Sequence, residues 1–239
     1  MDVIKPYKKG AEYSYTLGAF PTFELIKTRP EIVTSVYVHS SFTDREHIIA
    51  LCKEHRIPVI ENDKLIHKLS DKENCFVIGV FHKFETVLEK DKPHIVLVNP
   101  SNMGNLGTII RTAVGLGIYN IACITPSADL FNPKTIRSSM GAFFRMNYQY
   151  FDSFNEYRSI YQKHDVFTFM LNGENTLEIQ NCPKTDLFSL VFGNEATGLD
   201  DSFLNVGTSI CIPQTKDVDS LNITIAVGIG AFIFMHQGK

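Results

Sequence analysis

Three short segments rich in Gly, Asn and Ser, all after residue 100, most constrain how this sequence can fold. Residues 102–111 read NMGNLGTIIR, residues 192–198 read FGNEATG, and residues 212–222 read IPQTKDVDSLN. Each begins where an apolar, strand-like run ends, and each leads into a helix-like run. In α/β folds such junctions gather at one sheet edge, where strand ends and helix N-termini direct backbone N–H groups towards a ligand. The pattern therefore predicts one crevice built from three junctions.

The hydrophobic pattern predicts two α/β domains, residues 1–88 and 89–239, with the charged segment 84–93 as the linker. In the first domain, strand-like runs at 33–38, 58–60 and 75–81 alternate with helical patterns, which indicates a mostly parallel or mixed sheet. The same alternation continues in the second domain. There the expected strands are 95–98, 121–124, 146–151, 166–171, 190–192 and 209–212. The last apolar run, residues 221–237, favours a buried helix.

At the first junction, residues 101–107 are expected to form a loop and residues 108–116 a helix. Arg111 lies on the polar side of that helix, and its planar guanidinium suits a phosphate contact. Taken alone, the segment fits a β-turn followed by a solvated arginine equally well.

The second and third junctions carry further polar candidates. Gly193 permits a close backbone approach, and Gly198 is expected in a left-handed turn. Between them, Glu195 is the only acid, and a helix dipole alone would account for it. In the third segment, Ser220 is expected as the N-cap of the last helix, with Asn222 in its first turn, which ordinary capping would also explain.

Charge and spacing disfavour several classes of protein. The net charge of −3 and pI of about 6.2 argue against a general nucleic-acid coat. A local basic patch remains open near the N-terminus, where a frayed terminus is an equally good interpretation; it consists of Lys5, Lys8 and Lys9 with Tyr7, Tyr13 and Tyr15. The first segment does not complete G-x-G-x-x-G and the chain has no G-K-[ST], which disfavours dinucleotide-binding and phosphate-loop enzymes.

The cysteines and the chain start indicate the compartment. The five cysteines are odd in number and lack metal-ligand spacing, so buried thiols and no metal are expected. Together with a polar, charged start that lacks signal-peptide character, they predict a cytoplasmic protein. The longest apolar run falls short of the roughly 20 residues that span a bilayer, so no membrane association is expected.

Together the three segments resemble the motifs of the SpoU-type (TrmH-like) RNA 2′-O-ribose methyltransferases of the SPOUT superfamily, over about residues 93–239. The resemblance implies a C-terminal α/β domain with a trefoil knot, S-adenosylmethionine as cofactor, and an obligate homodimer to which the final helix contributes. Residues 1–88 resemble the small ribosomal-protein-like α/β domain that binds RNA in many members.

The resemblance also implies site residues. It implies catalytic roles for five polar residues: Asn105 and Arg111 in the first motif, Glu195 in the second, and Ser220 and Asn222 in the third. It implies cofactor contacts, mainly through the backbone, at five others: Gly193, Asn194, Ile212, Pro213 and Leu221. The third motif departs from the family pattern at Gln214 and Lys216, where Met and Gly are common, so an altered loop shape is expected.

The implied reaction is methyl transfer to a ribose 2′-OH, expected on large-subunit ribosomal RNA, with tRNA as the alternative. Because guanidinium stays protonated, Arg111 is expected to clamp a phosphate and stabilise the developing alkoxide rather than act as a base. Two other classes stay open. One is a non-catalytic RNA-binding paralogue, motivated by Gln214 and Lys216, and the other is a nucleotide-dependent enzyme acting on small molecules.

Overall fold

A computed structural model describes residues 4–70, 72–177 and 182–236, and the chain divides into two compact units. Unit 1 comprises Met1–Phe84 and Asp129–Arg145, and unit 2 comprises Glu85–Ala128 and Met146–Lys239. The segment Asp129–Arg145, which the sequence-based boundary at residue 88 assigns to the second domain, thus groups with the first unit.

Unit 1 is built on a four-stranded mixed sheet with the order β1-β4-β2-β3. Its strands are β1 (Tyr13–Tyr15), β2 (Val33–Val38), β3 (Val59–Glu61) and β4 (Val77–His82). β2 and β3 run parallel, whereas β4 is antiparallel to both β1 and β2. Its helices are α1 (Ala19–Thr28), α2 (Arg45–Glu54), α3 (Asp63–Leu69) and α5 (Pro133–Ser138). The short strand β1 was not predicted from the sequence.

Alternating side chains of the strands fill both faces of this sheet. Val36 and Val38 pack with one set of buried side chains, which includes Ile48 of α2. Tyr37 belongs to the opposite set, which includes Ile66 of α3. This is the period of two that a strand buried on both faces requires.

The segment Asp129–Arg145 is held within unit 1 by polar contacts distant in sequence. The Ser14 hydroxyl donates to the carbonyl oxygen of Phe131, and Arg145 Nη2 lies 2.7 Å from Glu24 Oε2. Such pairs leave no periodic trace, which explains why hydrophobic patterning placed this segment elsewhere.

Unit 2 is built on a seven-stranded parallel sheet with the order β7-β6-β5-β10-β8-β11-β9. Its strands are β5 (His94–Val98), β6 (Asn120–Ile124), β7 (Asn147–Phe151), β8 (Asp165–Phe169), β9 (Asn175–Thr176), β10 (Phe188–Phe192) and β11 (Thr208–Cys211). Its helices are α4 (Met103–Gly115), α6 (Phe154–Ile160) and α7 (Ile223–Met235). None of the helices in the described ranges is long and apolar enough to cross a membrane.

Two helix starts differ from the sequence-based expectations. Helix α4 begins at Met103 rather than residue 108, because Asn102 accepts hydrogen bonds from the backbone N–H groups of Gly104 and Asn105. This cap outweighs the loop preference of the glycines. The final helix is confirmed, but its N-cap is Asn222, which accepts from Thr224 N, and not Ser220.

A chain of buried polar side chains lies near the amino ends of β5, β10 and β8. Its members are His94, Tyr157, Ser189 and His164, and all are at most 2% exposed. The side-chain contacts are His94 Nδ1 to Tyr157 Oη (2.8 Å), Tyr157 Oη to Ser189 Oγ (2.6 Å) and Ser189 Oγ to His164 Nδ1 (2.9 Å). The two Nε2 atoms face the carbonyl oxygens of Glu89 and Lys90. Burial lowers the pKa of His94 to about 4, so this imidazole is neutral at pH 7.

Candidate ligand-binding site

A cavity of about 340 Å³ lies at the carboxyl ends of β8, β10 and β11. Its walls come from residues 170–172 after β8, residues 193–199 after β10, and the connection between β11 and α7. Because these three strands are parallel neighbours, the loops that leave them meet at one edge of the sheet. The second and third predicted junctions therefore converge on a single cavity.

The loop after β10 is closed tightly by two glycines. A Cβ on Gly193 would lie 2.0 Å from the carbonyl carbon of Gly198, so only glycine fits there. Gly198 has φ of +69°, the left-handed conformation predicted for it. The N–H groups of Asn194 and Gly198 donate to each other's carbonyl oxygens at 3.2 and 2.9 Å. This closure turns the loop between them towards the first junction.

Glu195, at the tip of that loop, ties the first junction to the second. Its Oε2 accepts from Ser101 N at 3.0 Å and Ser101 Oγ at 2.8 Å. Its Oε1 accepts from Asn102 N at 3.0 Å and lies 3.5 Å from Asn105 Nδ2. The carboxylate thus occupies the N-terminal end of α4, where backbone N–H groups and the helix dipole favour an anion.

These contacts fix the protonation state of Glu195. Partial burial by itself would raise the pKa of this carboxyl, but the hydrogen bonds from Ser101 and Asn102 bring the pKa below its ordinary value. Glu195 is therefore an anion at neutral pH with both oxygens engaged. That arrangement makes it a tether for the loop before α4 and a poor proton acceptor.

The two catalytic candidates of the first motif, Asn105 and Arg111, do not line the cavity. Asn105 stands in the first turn of α4, next to Glu195, and is partly buried. Arg111 is exposed further along the same helix and makes no hydrogen bond or ion pair within the part of the chain that the structure describes. Its guanidinium is available to an anion from solution.

The third junction divides its candidates between wall and scaffold. The cavity is lined by Ile212, Gln214, Ser220 and Leu221, whereas Pro213 and Asn222 are not among its lining residues. The Asn222 side chain is occupied as the cap of α7, accepting from Thr224 N at 2.9 Å and Thr224 Oγ1 at 2.8 Å.

Sequence reasoning missed the apolar end of the cavity. Phe169 and Phe192, the last residues of β8 and β10, stack with ring centroids 4.4 Å apart and an interplanar angle of 20°. The signal was present in the apolar run 166–171, because β8 ends at the same sheet edge as β10. Asn99 was also missed: it has φ of +52°, and its carbonyl oxygen accepts from Asn194 Nδ2 at 2.7 Å.

Comparison with known proteins identifies relatives of this chain. A family model described as "SpoU rRNA Methylase family" matches residues 92–232. The 23S rRNA (guanosine(2553)-2′-O)-methyltransferase RlmP of Bacillus subtilis is 28% identical over 64% of this chain and 62% of its own length. This chain thus spans only about half to two thirds of the length of the relatives of this kind that it matches.

Other relatives differ in how much of the chain they match. The 23S rRNA (adenosine(1067)-2′-O)-methyltransferase of Streptomyces azureus is 22% identical over 96% of this chain and 88% of its own length. A putative tRNA (cytidine(34)-2′-O)-methyltransferase of Listeria monocytogenes is 29% identical over 60% of this chain and 87% of its own length. Among solved structures, an AdoMet-bound rRNA methyltransferase from Sinorhizobium meliloti has a TM-score of 0.77 at 24% identity, covering 93% of this chain and 86% of that one.

Proposed function

This chain belongs to the SpoU rRNA Methylase family, and from that premise we propose that it is an S-adenosylmethionine-dependent RNA 2′-O-ribose methyltransferase. The resemblance found in its three sequence segments is confirmed at the level of the family. The observation that carries the proposal is the tether of Glu195, which holds the first junction against a cavity walled by the other two.

The cavity fits the proposed cofactor in its chemistry. The stacked rings of Phe169 and Phe192 offer an apolar end suited to a flat heteroaromatic group. The loop residues Gly193, Asn194 and Leu221 would hold its polar groups, chiefly through backbone atoms, with Ile212 beside them. When bound, S-adenosylmethionine supplies a methyl group carried on a positively charged sulfur. An oxygen nucleophile can accept this methyl group, which leaves S-adenosylhomocysteine as the other product.

The chain's own residues would align the acceptor. Glu195 keeps the loop before α4 in place, and Asn105, beside it, would orient the ribose. Arg111 would bind a nucleotide phosphate and stabilise the charge that develops on the 2′-oxygen as the methyl group is transferred and the hydroxyl proton passes to solvent water. Ser220 would present its hydroxyl at the cavity wall, and Asn222 fixes the start of α7. Most of the catalytic benefit would come from this alignment.

Large-subunit ribosomal RNA is the proposed substrate. The relative that matches 96% of this chain acts, by its name, on 23S rRNA, whereas the tRNA relative matches only 60%. The additional matched length includes unit 1, which we propose as the RNA-binding domain. Its exposed lysines near the N-terminus offer a local phosphate-binding patch: Lys5, Lys8 and Lys9. A tRNA substrate and a non-catalytic paralogue are the competing outcomes.

The test is transfer of labelled methyl from S-adenosylmethionine to unmodified 23S rRNA and unmodified tRNA, run in parallel. Label at one nucleotide of 23S rRNA, resistant to alkaline cleavage, is the expected result. Arg111→Ala should lower turnover at least a hundredfold with unchanged cofactor affinity. Lys163→Ala, which removes an exposed charge just before the amino end of β8, is the matched control and should retain activity. Equal turnover in both variants would remove Arg111 from the mechanism.

We also propose that the protein is a homodimer and that unit 2 is knotted. Ile225 and Phe232 expose 53% and 51% of their surface on α7, an apolar face that a second copy would cover. Ile225→Glu combined with Phe232→Glu should give a monomer in sedimentation equilibrium.

The crossed strand order, with β8 between β10 and β11, supports the knot. Pulling on both termini in an optical trap should then give an extended chain shorter than its full contour length.

A further inference from the structure

The aromatic end of the cavity is backed by one residue of α7. A Cβ on Gly230 would lie 2.7 Å from Phe169 Cζ, 2.9 Å from Phe169 Cε1 and 3.3 Å from Phe192 Cζ. Real Cβ atoms essentially never come within 3.0 Å of another heavy atom, so any larger residue must displace the ring of Phe169, and the 3.3 Å contact with Phe192 is also tighter than most. Glycine costs helix stability relative to alanine, which makes its presence in the middle of α7 informative.

The direction of that displacement follows from what surrounds the rings. Phe192 stacks on one side of Phe169 at 4.4 Å, and the ring of Phe234 lies 6.4 Å away. The open space next to Phe169 and Phe192 is the cavity that both line. Pressure from residue 230 therefore moves the rings into the cavity. Ala226, one turn earlier on the same side of α7, lines that cavity directly.

We infer that Gly230 is a positioning residue for cofactor binding, because it sets how far the Phe169–Phe192 pair retreats from the cavity. The inference rests on the proposed function, since it assumes that the cavity receives S-adenosylmethionine. Helix α7 is then part of the cofactor site in two ways. Ala226 lines the cavity, and Gly230 leaves space for the Phe169 and Phe192 rings on the side away from the cavity.

The chain contains a matched control on the same helix. A Cβ on Gly228 would meet only Thr112 Cγ2 at 3.6 Å, which is ordinary van der Waals contact. Gly228→Ala and Gly230→Ala therefore make the same chemical change and gain the same helix propensity. Only the second pushes on the rings.

The experiment measures binding of S-adenosylhomocysteine by isothermal titration calorimetry, with thermal unfolding and sedimentation recorded for each variant. Gly230→Ala should weaken binding about tenfold, the effect of overpacking by one methyl group. Gly228→Ala should bind within about twofold of the original protein. In turnover assays, Gly230→Ala should raise KM for S-adenosylmethionine and leave KM for RNA unchanged.

A rescue variant separates positioning from general damage. Leucine lacks the Cζ and Cε1 atoms that the new Cβ would meet, so Phe169→Leu should relieve the contact. The double variant Phe169→Leu/Gly230→Ala should then bind S-adenosylhomocysteine as tightly as Phe169→Leu alone. If Gly230→Ala does not fold, the double variant must fold and bind like Phe169→Leu alone, and a double variant that stays unfolded refutes the inference.

The outcomes distinguish this inference from the proposal beneath it. If the original protein does not bind S-adenosylhomocysteine, the proposed function fails. If it binds and Gly230→Ala binds equally well, or the rescue is absent, the proposed function stands and the role of Gly230 is refuted.

Discussion

Acidification should destabilise unit 2 through His94. The imidazole is fully buried, and burial lowers its pKa from 6.5 to about 4. The unfolded chain therefore takes up a proton near pH 6.5 that the folded chain resists until about pH 4. The stability that neutral His94 contributes is fully present above pH 6.5 and is lost as the pH falls towards 4.

The magnitude follows from the two pKa values. At roughly 1.4 kcal/mol per pH unit, the full difference is about 3 kcal/mol, of which about 2 kcal/mol is lost between pH 7 and pH 5. His164, whose pKa burial also lowers, acts in the same direction. These values are a large fraction of the free energy of unfolding of a typical domain.

Urea denaturation at pH 7 and pH 5, at fixed protein concentration, measures this loss. Because carboxylates also titrate in this range, the readout is the difference between the original protein and His94→Gln, which should lose about 2 kcal/mol less over the interval. His236→Gln, which removes an exposed histidine of unit 2, should follow the original protein.

One result would refute the reasoning. Four buried side chains make five polar contacts with one another and with two backbone carbonyl oxygens: His94, Tyr157, Ser189 and His164. Each contact needs one hydrogen-bonding proton, but the four side chains in neutral form supply only four. If the original protein and His94→Gln lose equal stability between pH 7 and pH 5, these buried side chains take up a fifth proton readily. The pKa of His94 is then not lowered, and the predicted direction of the pH effect is wrong.

Three further changes test the loops of the site. Glu195→Gln should cost about 1–2 kcal/mol of stability and most of the activity, because a neutral amide cannot replace four contacts to Ser101, Asn102 and Asn105; full activity in a methyl-transfer assay would contradict the tether. Asn222→Ala should lower stability by about 1 kcal/mol in thermal unfolding, whereas Ser220→Ala should be neutral, since only Asn222 caps α7. Gly193→Ala should abolish binding of S-adenosylhomocysteine, because its Cβ has no space; normal affinity would exclude the tight loop.

The sequence predicted the junctions better than their details. Gly193 and Gly198 were interpretable because a close approach and a left-handed turn each demand glycine. The start of α4 was not, since Gly104 and Gly107 favour a loop locally and only the cap by Asn102 overrides them. Whether Ser220 or Asn222 caps α7 depends on backbone geometry that residue type alone leaves open.

Contacts between residues far apart in the chain could not be predicted from the sequence pattern. Nothing in the pattern of residues 129–145 indicates that they pack with unit 1, because the contacts involve Ser14 and Glu24 far away in sequence. The tether from Glu195 to Ser101 and Asn102 is equally non-local. It becomes expected only when β5 and β10 are known to be neighbours.

The place of β10 in the sheet has a consequence for how the protein is made. His94 and Ser189 are adjacent across the β5–β10 pair, so the centre of the sheet joins strands separated by most of unit 2. During translation, β5, β6 and β7 leave the ribosome well before the strand that covers the open edge of β5. That edge is a template for pairing with another chain until β10 arrives. Slow synthesis or truncation before residue 188 should therefore favour aggregation, and rapid completion of the chain should favour the native sheet.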